Sequence, residues 1–326
     1  MGSRGWSYGG RTGYGVDGPR TIAGVTTNDS GPTGDFERTP GGAVLMDGNR
    51  LRDEIVAALR ARIEAAGSPP VCLATVLVGD DPPSQRYVRN KHVQAGKAGM
   101  LSRNGLLPGS ASQSQVEDMV AELAADSGVH GILVQLPIPD GLDPEAVLRL
   151  VPPDKDVDGL TEMSMGRLVR GVPGLVGCTP LGVMRLLERY GVSISGKRAV
   201  VLGRSTLVGL PTALLLARKG TDATVTIAHS RTPDLADVCR EADILVAAAG
   251  QAGIITAAHV KPGAAVIDVG VSRTAAGIAG DVAFDEVQAI AGHITPMPGG
   301  TGPMTIACLL ENTLTAAQLQ GAFPTD

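Results

Sequence analysis

A chain of 326 residues is long enough for two domains, each with a core of its own. Its net charge of −5 excludes a dedicated binder of nucleic acid, and it has no apolar run long enough to span a bilayer. The four cysteines (Cys72, Cys178, Cys239, Cys308) are far apart in apolar surroundings, and the five histidines lack ligand spacing. They read as reduced, buried side chains of a cytosolic protein, with no disulfide framework and no metal site.

In chain order, residues 1–42 are rich in Gly, Ser, Thr, Asp and Arg without any period, and are expected to be disordered. No apolar h-region marks them as a secretory signal, and their acids argue against a transit peptide. Folded sequence is expected from Ala43. Leu51, Ile55, Leu59 and Ile63 recur at i, i+4 and predict an amphipathic helix, stopped by Gly67 and Pro69-Pro70. Val71–Val78 follows as a buried strand and Gly79–Pro83 as a turn. Ser84 to Ala98 predicts a helix with Ser84, Tyr87 and Lys91 on one face. Read alone, that face is either a stacking tyrosine beside an acid–base lysine or a solvated face with a snorkelling lysine. Leu101 to Gly109 is assigned no element.

Ser112 and Gln115 form a capping-box pattern ahead of Val116, Met119, Val120 and Leu123, hence a helix. Gly131–Pro137 reads as a strand. Because ligands gather at strand C-termini in α/β sheets, Gln135 becomes a candidate to hydrogen-bond a substrate. Asp143-Pro144 starts a short helix to Leu150, and Pro153–Gly159 reads as a charged loop. Thr179 is expected to cap a helix with Pro180 at its first position, running to Tyr190-Gly191 and into the second domain.

The second half alternates strand and helix, with strands at 198–202, 223–228, 243–248 and 264–269 and helices near 211–219 and 233–240. The first strand breaks at Gly203. Gly203 and Gly209 would let backbone N–H groups approach a phosphate ahead of a helix near Pro211. The spacing is not G-x-G-x-x-G, so a plain strand–turn–helix stays open. The next strand ends without the acid that would bind a ribose 2′-hydroxyl. It runs instead into His229-Ser230-Arg231-Thr232, which suits a 2′-phosphate and favours NADP over NAD. An ordinary solvated loop is the alternative there. Gly250 is either a second close approach to the cofactor or a tight turn. Thr295–Thr305 forms a Pro/Gly-rich loop before a final helix carrying Ile306, Leu309, Leu310 and Thr313.

Six segments, taken together and in this order, carry a resemblance. They are Ser84-x-x-Tyr87-Val88-x-x-Lys91, Gly131–Pro137, Lys155–Gly159, Cys178-Thr179-Pro180, Gly203-Arg204-Ser205-x-x-Val208-Gly209-x-Pro211 and Pro298-Gly299-Gly300-x-Gly302–Thr305. The chain resembles the bifunctional methylenetetrahydrofolate dehydrogenase/methenyltetrahydrofolate cyclohydrolase family over roughly residues 43 to 318.

The resemblance implies an α/β fold of two α/β domains with a cleft between them, the second a Rossmann-type dinucleotide-binding domain. A folate-binding domain would span 43–178 and be completed by a C-terminal helix at 304–320, and an NADP-binding domain would span 179–303. It further implies Lys91 as the acid–base group assisted by Gln135, and Tyr87 packed on the folate. Asp158 would hold the pterin, with Ser84, Pro298 and Gly299 also at the substrate. NADP would lie on Gly203, Arg204, Ser205, Val208, Gly209, Ser230, Thr232 and Gly250, with Arg204 and Ser230 at the 2′-phosphate. No metal is expected. The implied partners are tetrahydrofolate derivatives and a second copy of the chain, with neither nucleic acid nor membrane involved, in the cytoplasm and in the service of purine synthesis. Two other readings stand beside this one: an NADP-dependent dehydrogenase of a small shikimate-like acid, and a non-catalytic dinucleotide-binding protein. Thr301 stands where the family usually has valine, and Pro83 where a small residue is common.

Overall fold

A computed structural model describes residues 36–275 and 277–325. The elements run β1 (Val44–Leu45), α1 (Gly48–Ala65), β2 (Cys72–Val78), α2 (Pro82–Lys97), β3 (Leu101–Leu107), α3 (Gln113–Ala125), β4 (Gly131–Val134), α4 (Pro144–Leu148), α5 (Glu162–Arg170) and α6 (Cys178–Arg189). The second half continues with β5 (Arg198–Leu202), α7 (Gly209–Ala217), β6 (Thr224–Ala228), α8 (Leu235–Arg240), β7 (Ile244–Ala247) and β8 (Ala265–Asp268). It closes with β9 (Ser272–Thr274), β10 (Gly277–Ala279), α9 (Phe284–Val287), β11 (His293–Ile294) and α10 (Thr301–Leu319).

The first sheet has the order β3-β2-β4 and all its pairs are parallel. Every residue of β2 is buried, as a strand covered on both faces requires. Alternation splits its side chains between two cores. Cys72, Ala74, Val76 and Val78 face Val116, Val120 and Leu123 of α3. Leu73 turns to the opposite core, which it shares with residues of α1, α6 and α10.

The second sheet has the order β1-β11-β8-β7-β5-β6, again parallel throughout. The chain leaves β5 for β6 on one side and returns to β7 on the other. The topological switch that opens a crevice in such sheets therefore lies at the C-terminal end of β5. The short antiparallel pair β9–β10 stands apart from both sheets.

Three expectations change. Residues 1–35 lie outside the described part, but residues 36–42 are folded, contrary to the expected disorder. Arg38 bridges to Val44, and the Phe36 ring lies 4.9 Å from that of Tyr190. The Arg189 guanidinium sits 5.4 Å over Phe36. Tertiary contacts with α6 thus order a segment whose composition has no period. Second, α2 begins at Pro82, because Asp81 caps it by accepting from the Ser84 N–H at 2.9 Å. Third, α6 begins at Cys178 after Gly177, and the Thr179 hydroxyl pairs with that of Thr305 at 3.0 Å instead of capping. Leu101–Leu107, assigned no element from sequence, is β3. Its side chains are exposed or half-buried, so it shows no hydrophobic signal, and only its pairing with β2 makes it a strand.

Candidate active site

A cavity of about 340 Å³ opens where the two sheets meet, with walls from both halves of the chain. Tyr87 and Lys91 reach it from α2, four residues apart and hence on one face. Gln135 enters just past the end of β4, and Asp158 from the loop before α5. Lys91 is only 8% exposed, and its Nζ donates to Gln135 Oε1 at 2.9 Å. Gln135 Nε2 donates to the Leu136 carbonyl at 2.7 Å, which turns the amide so that oxygen faces the lysine.

Burial holds the Lys91 pKa below its ordinary value, opposed by the nearby Asp158 carboxylate and by Cys178. Burial also raises the pKa of Asp158, against the pull of Lys91. The one cause, removal of water, pushes both groups toward their neutral forms. Tyr87 is about half exposed at the mouth, where its ring face is free to meet a flat ligand.

The run Lys155–Gly159 divides its work residue by residue. Lys155 Nζ donates to the Ala124 and Asp126 carbonyls at 2.9 and 2.7 Å and closes the end of α3. The Asp156 carboxylate accepts from Leu160 N–H, Thr161 N–H and the Ser164 hydroxyl, fixing the start of α5. Val157 is core, and its carbonyl accepts from Asn312 Nδ2 of α10 at 2.8 Å and lies 3.1 Å from Cys178 Sγ. Only Asp158 is left to face the cavity.

Some expected substrate residues lie elsewhere. Ser84 is buried, and its hydroxyl donates to Asp81 Oδ2 at 2.7 Å. Pro298 is exposed, and the Gly299 carbonyl accepts from Gly48 N–H at 2.8 Å. None of the three lines the cavity. The loop that carries Pro298 and Gly299 delivers α10 instead, whose Gly302, Thr305, Ile306 and Leu309 form one wall. Thr305 is within the family-like run, but Ile306 and Leu309 read from sequence as ordinary helix core. Leu207, Val208 and Val271 complete the far side. The Thr301 hydroxyl donates to the Asp268 carbonyl at 2.8 Å, so the departure from valine is satisfied by the end of β8 and does not reach the cavity.

The dinucleotide side gathers at the switch point. Leu202 of β5 pairs with Ala228 of β6, so Arg204 and the run Ser230–Arg231 leave neighbouring strands at the same sheet end. Arg204, Ser205, Ser230 and Arg231 are all exposed there. Gly203 has φ +125°, and a Cβ on it would collide with the Ala248 carbonyl, so only glycine lets this loop fold back on β7. Gly209 packs as closely on Gly203. Ser205 Oγ accepts from the Val208 and Gly209 N–H groups at 3.2 and 3.4 Å and shapes the loop. Thr232 Oγ1 accepts from His229 N–H at 2.9 Å, a turn-forming role. Gly250 N–H is already engaged by Asp281 Oδ2 at 3.0 Å, which leaves it as a turn at the site's edge. An exposed loop at a helix start that carries one guanidinium, with a second guanidinium and a hydroxyl at the next strand end, fits a phosphorylated dinucleotide.

All four cysteines are free and buried. Among the described residues no cluster of three or more His, Cys, Asp or Glu could hold a metal ion. No helix among them is long and apolar enough to cross a membrane.

Comparison with known proteins agrees with this geometry. Residues 46–158 match the family model described as tetrahydrofolate dehydrogenase/cyclohydrolase, catalytic domain, and residues 177–321 match its NAD(P)-binding domain. A bifunctional protein FolD from Acidiphilium cryptum is 57% identical over 267 residues, covering 81% of this chain and 95% of that one. The crystal structure of the bifunctional FolD enzyme from Campylobacter jejuni superposes with a TM-score of 0.82 at 41% identity, covering 85% of this chain and 99% of that one. The Trypanosoma brucei methylenetetrahydrofolate dehydrogenase-cyclohydrolase, complexed with NADP and an inhibitor, gives 0.79 at 40% identity, covering 85% and 98%.

Proposed function

The chain belongs to the tetrahydrofolate dehydrogenase/cyclohydrolase family, and on that premise we propose that Lys91 is the acid–base group of the one site that both reactions share. The protein is a bifunctional enzyme. It oxidises 5,10-methylenetetrahydrofolate to the 5,10-methenyl form with NADP and hydrolyses that product to 10-formyltetrahydrofolate. The small-acid dehydrogenase and the non-catalytic reading give way to it.

The observation that carries the proposal is the buried Lys91–Gln135 pair, 2.9 Å long, at the wall of the cleft that the cofactor loop also lines. Tyr87 packs on the folate and Asp158 accepts from the pterin's N–H groups, which together aim the one-carbon bridge at the far wall. That wall, Leu207, Val208 and Val271, is apolar and keeps water from the reacting carbon during oxidation. NADP, when bound, supplies the hydride acceptor, with Arg204 and Ser230 at its 2′-phosphate. In the second step, neutral Lys91 takes a proton from the water that adds to the methenyl carbon. The resulting ammonium returns a proton to the ring nitrogen that leaves. Gln135 Oε1 accepts from Lys91 in either state and so fixes the Nζ position throughout. Burial lowers the Lys91 pKa and so favours the neutral form that this proton transfer needs.

The test follows absorbance of purified protein with 5,10-methylenetetrahydrofolate and NADP or NAD, wild type against Lys91→Met. The expected result is NADP reduction and separate decay of added methenyl substrate, both lowered in the variant by about 10²-fold or more. Cofactor reduction that persists in Lys91→Met removes the lysine from that step.

The proposal extends to a homodimer in the cytoplasm. In support, β6 is the uncovered edge of the second sheet and Ile227 on it is exposed, a surface a second copy would cover. The four buried thiols suit a reducing compartment. Sedimentation velocity is expected to show twice the chain mass, and a species of single-chain mass at micromolar concentration counts against the dimer.

A further inference from the structure

Asn312 lies inside α10 and is 1% exposed, on a helix whose buried residues are mostly apolar. Asparagine is a poor residue for a helix interior, and a buried amide without partners is costly. Here Nδ2 donates to the Val157 carbonyl and to the Val176 carbonyl, both at 2.8 Å, and lies 3.7 Å from Cys178 Sγ. Both hydrogens of the amide are used, and both go to loops far away in the chain. Asn312 does not itself line the cleft, although Leu309, about one turn earlier, does.

Each of those loops delivers a residue to the cleft. The Val157 carbonyl belongs to the peptide that leads into Asp158. Val176 comes just before α6, whose Cys178 and Thr179 line the cavity. The loops meet backbone to backbone. Gly159 has φ +66°, and a Cβ on it would collide with Val176 and Gly177, so no side chain separates them. The Cys178 thiol adds a second donor to the Val157 carbonyl, at 3.1 Å. On the other side of Asp158, Gly159 N–H donates to the Asp156 carbonyl at 3.0 Å. The carboxylate is therefore aimed by the peptides that flank it, and the preceding one is held from α10. A turn of that peptide would move the carboxylate relative to Lys91 and to any ligand in the cleft.

We propose that Asn312 is a positioning residue of the folate site: by holding the Val157 and Val176 carbonyls with one amide, it fixes the direction in which Asp158 meets the substrate. The inference rests on the folate reading above and deepens it. Asn312 touches neither substrate nor cofactor. Its effect passes through Asp158, so it falls on folate binding and spares NADP, whose loop follows β5. Asn312→Leu nearly conserves volume and removes both donors, and the Val157 carbonyl then keeps only the thiol, a weak donor. Asn312→Ser is the milder change, since one hydroxyl donor remains.

The experiment measures KM and kcat for 5,10-methylenetetrahydrofolate, and the Kd of NADP by fluorescence, in wild type, Asn312→Leu and Asn312→Ser. Asn312→Leu is expected to raise the folate KM by about 10-fold or more, with kcat lowered less and the NADP Kd within about 2-fold of wild type. Asn312→Ser gives a smaller rise in the same KM. Calorimetric Kd values for tetrahydrofolate then complete a cycle with Asp158→Asn, which is read even where turnover is lost. In the Asp158→Asn background the leucine is expected to add less than about 2-fold, because the group it positions is already changed. A folate KM unchanged in Asn312→Leu, equal losses of folate and NADP binding, a full additional loss in the double variant, or failure of both Asn312 variants to fold overturns the positioning role. A wild-type Kd for tetrahydrofolate in Asp158→Asn is a separate result, which overturns the placing of the pterin at Asp158.

Discussion

Lys91 carries its cost as well as its chemistry. With 8% of its surface exposed and its pKa lowered by burial, its charged form is disfavoured in the fold. The unfolded chain keeps the ordinary value of 10.5 and binds more protons at every pH between the lowered pKa and 10.5. Stability from this group therefore rises with pH across that window. The penalty is full below the lowered pKa and gone above 10.5. Lys91→Met removes it. The variant is expected to lose this pH dependence, so that its stability no longer rises between neutral pH and 10.5 as the wild type's does. Urea melts of both proteins at several pH values check this. The residue types themselves were legible: Tyr87 and Lys91 on one helix face, and Gln135 at a strand end. Whether that face was solvated was not, because burial depends on walls that come from residues far along the chain.

At the scale of elements, the ends of β7 and β8 are tied together by two buried acids that the sequence reading passed over. The Asp268 carboxylate, 2% exposed, accepts from the N–H groups of Gly270, Asp281 and Val282, each at 3.0 Å. Asp281 Oδ2 in turn accepts from Ala249 and Gly250 at 2.6 and 3.0 Å. The turn on which the Gly203 loop packs is therefore held by carboxylates and not by apolar contacts. Asp268→Ala would strand three buried donors, and is expected to cost roughly 3 kcal/mol or more and to weaken NADP binding. Denaturant midpoints and a fluorescence titration with NADP read the two effects. Neither acid announces this role, since an aspartate at a strand end reads equally well as a ligand. The strands legible as apolar runs (β2, β4, β5, β7 and β8) are buried along their whole length or nearly so, while β6, legible at 223–228 from its β-branched residues, is mostly exposed. The exposed β3 and the two-residue β1 and β11 have no such pattern.

The whole molecule does not divide where the chain does. One core joins Leu73 of the first sheet to Val201 and Val246 of the second through α1, α6 and α10. β1, near the start of the described folate half, pairs with β11 and is itself the far edge of the second sheet. The last helix, α10, supplies twelve buried residues and one wall of the cleft. A chain ending at Gly300 is therefore expected to leave α1, α6 and β4 without cover and to fail to fold in either half. Circular dichroism and solubility of that truncation test it, and a soluble, cooperatively melting product would show that the halves are independent.

The sequence by itself determined the parallel α/β character, the cofactor class and the family, because these rest on local patterns. They are apolar runs ended by glycine, a strand end without an acid, and six motifs in fixed order. The tertiary structure decided which members of those motifs touch the reaction. Lys155, Asp156, Ser84 and Thr301 are polar residues in or beside recognised motifs, yet each hydrogen-bonds inward and serves the fold. Lys91, Gln135 and Asp158 meet in one cleft because α2, β4 and the loop before α5 converge beneath α10. A side chain's partner is set by distance in space, and spacing along the chain carries that information only within a single helix or strand.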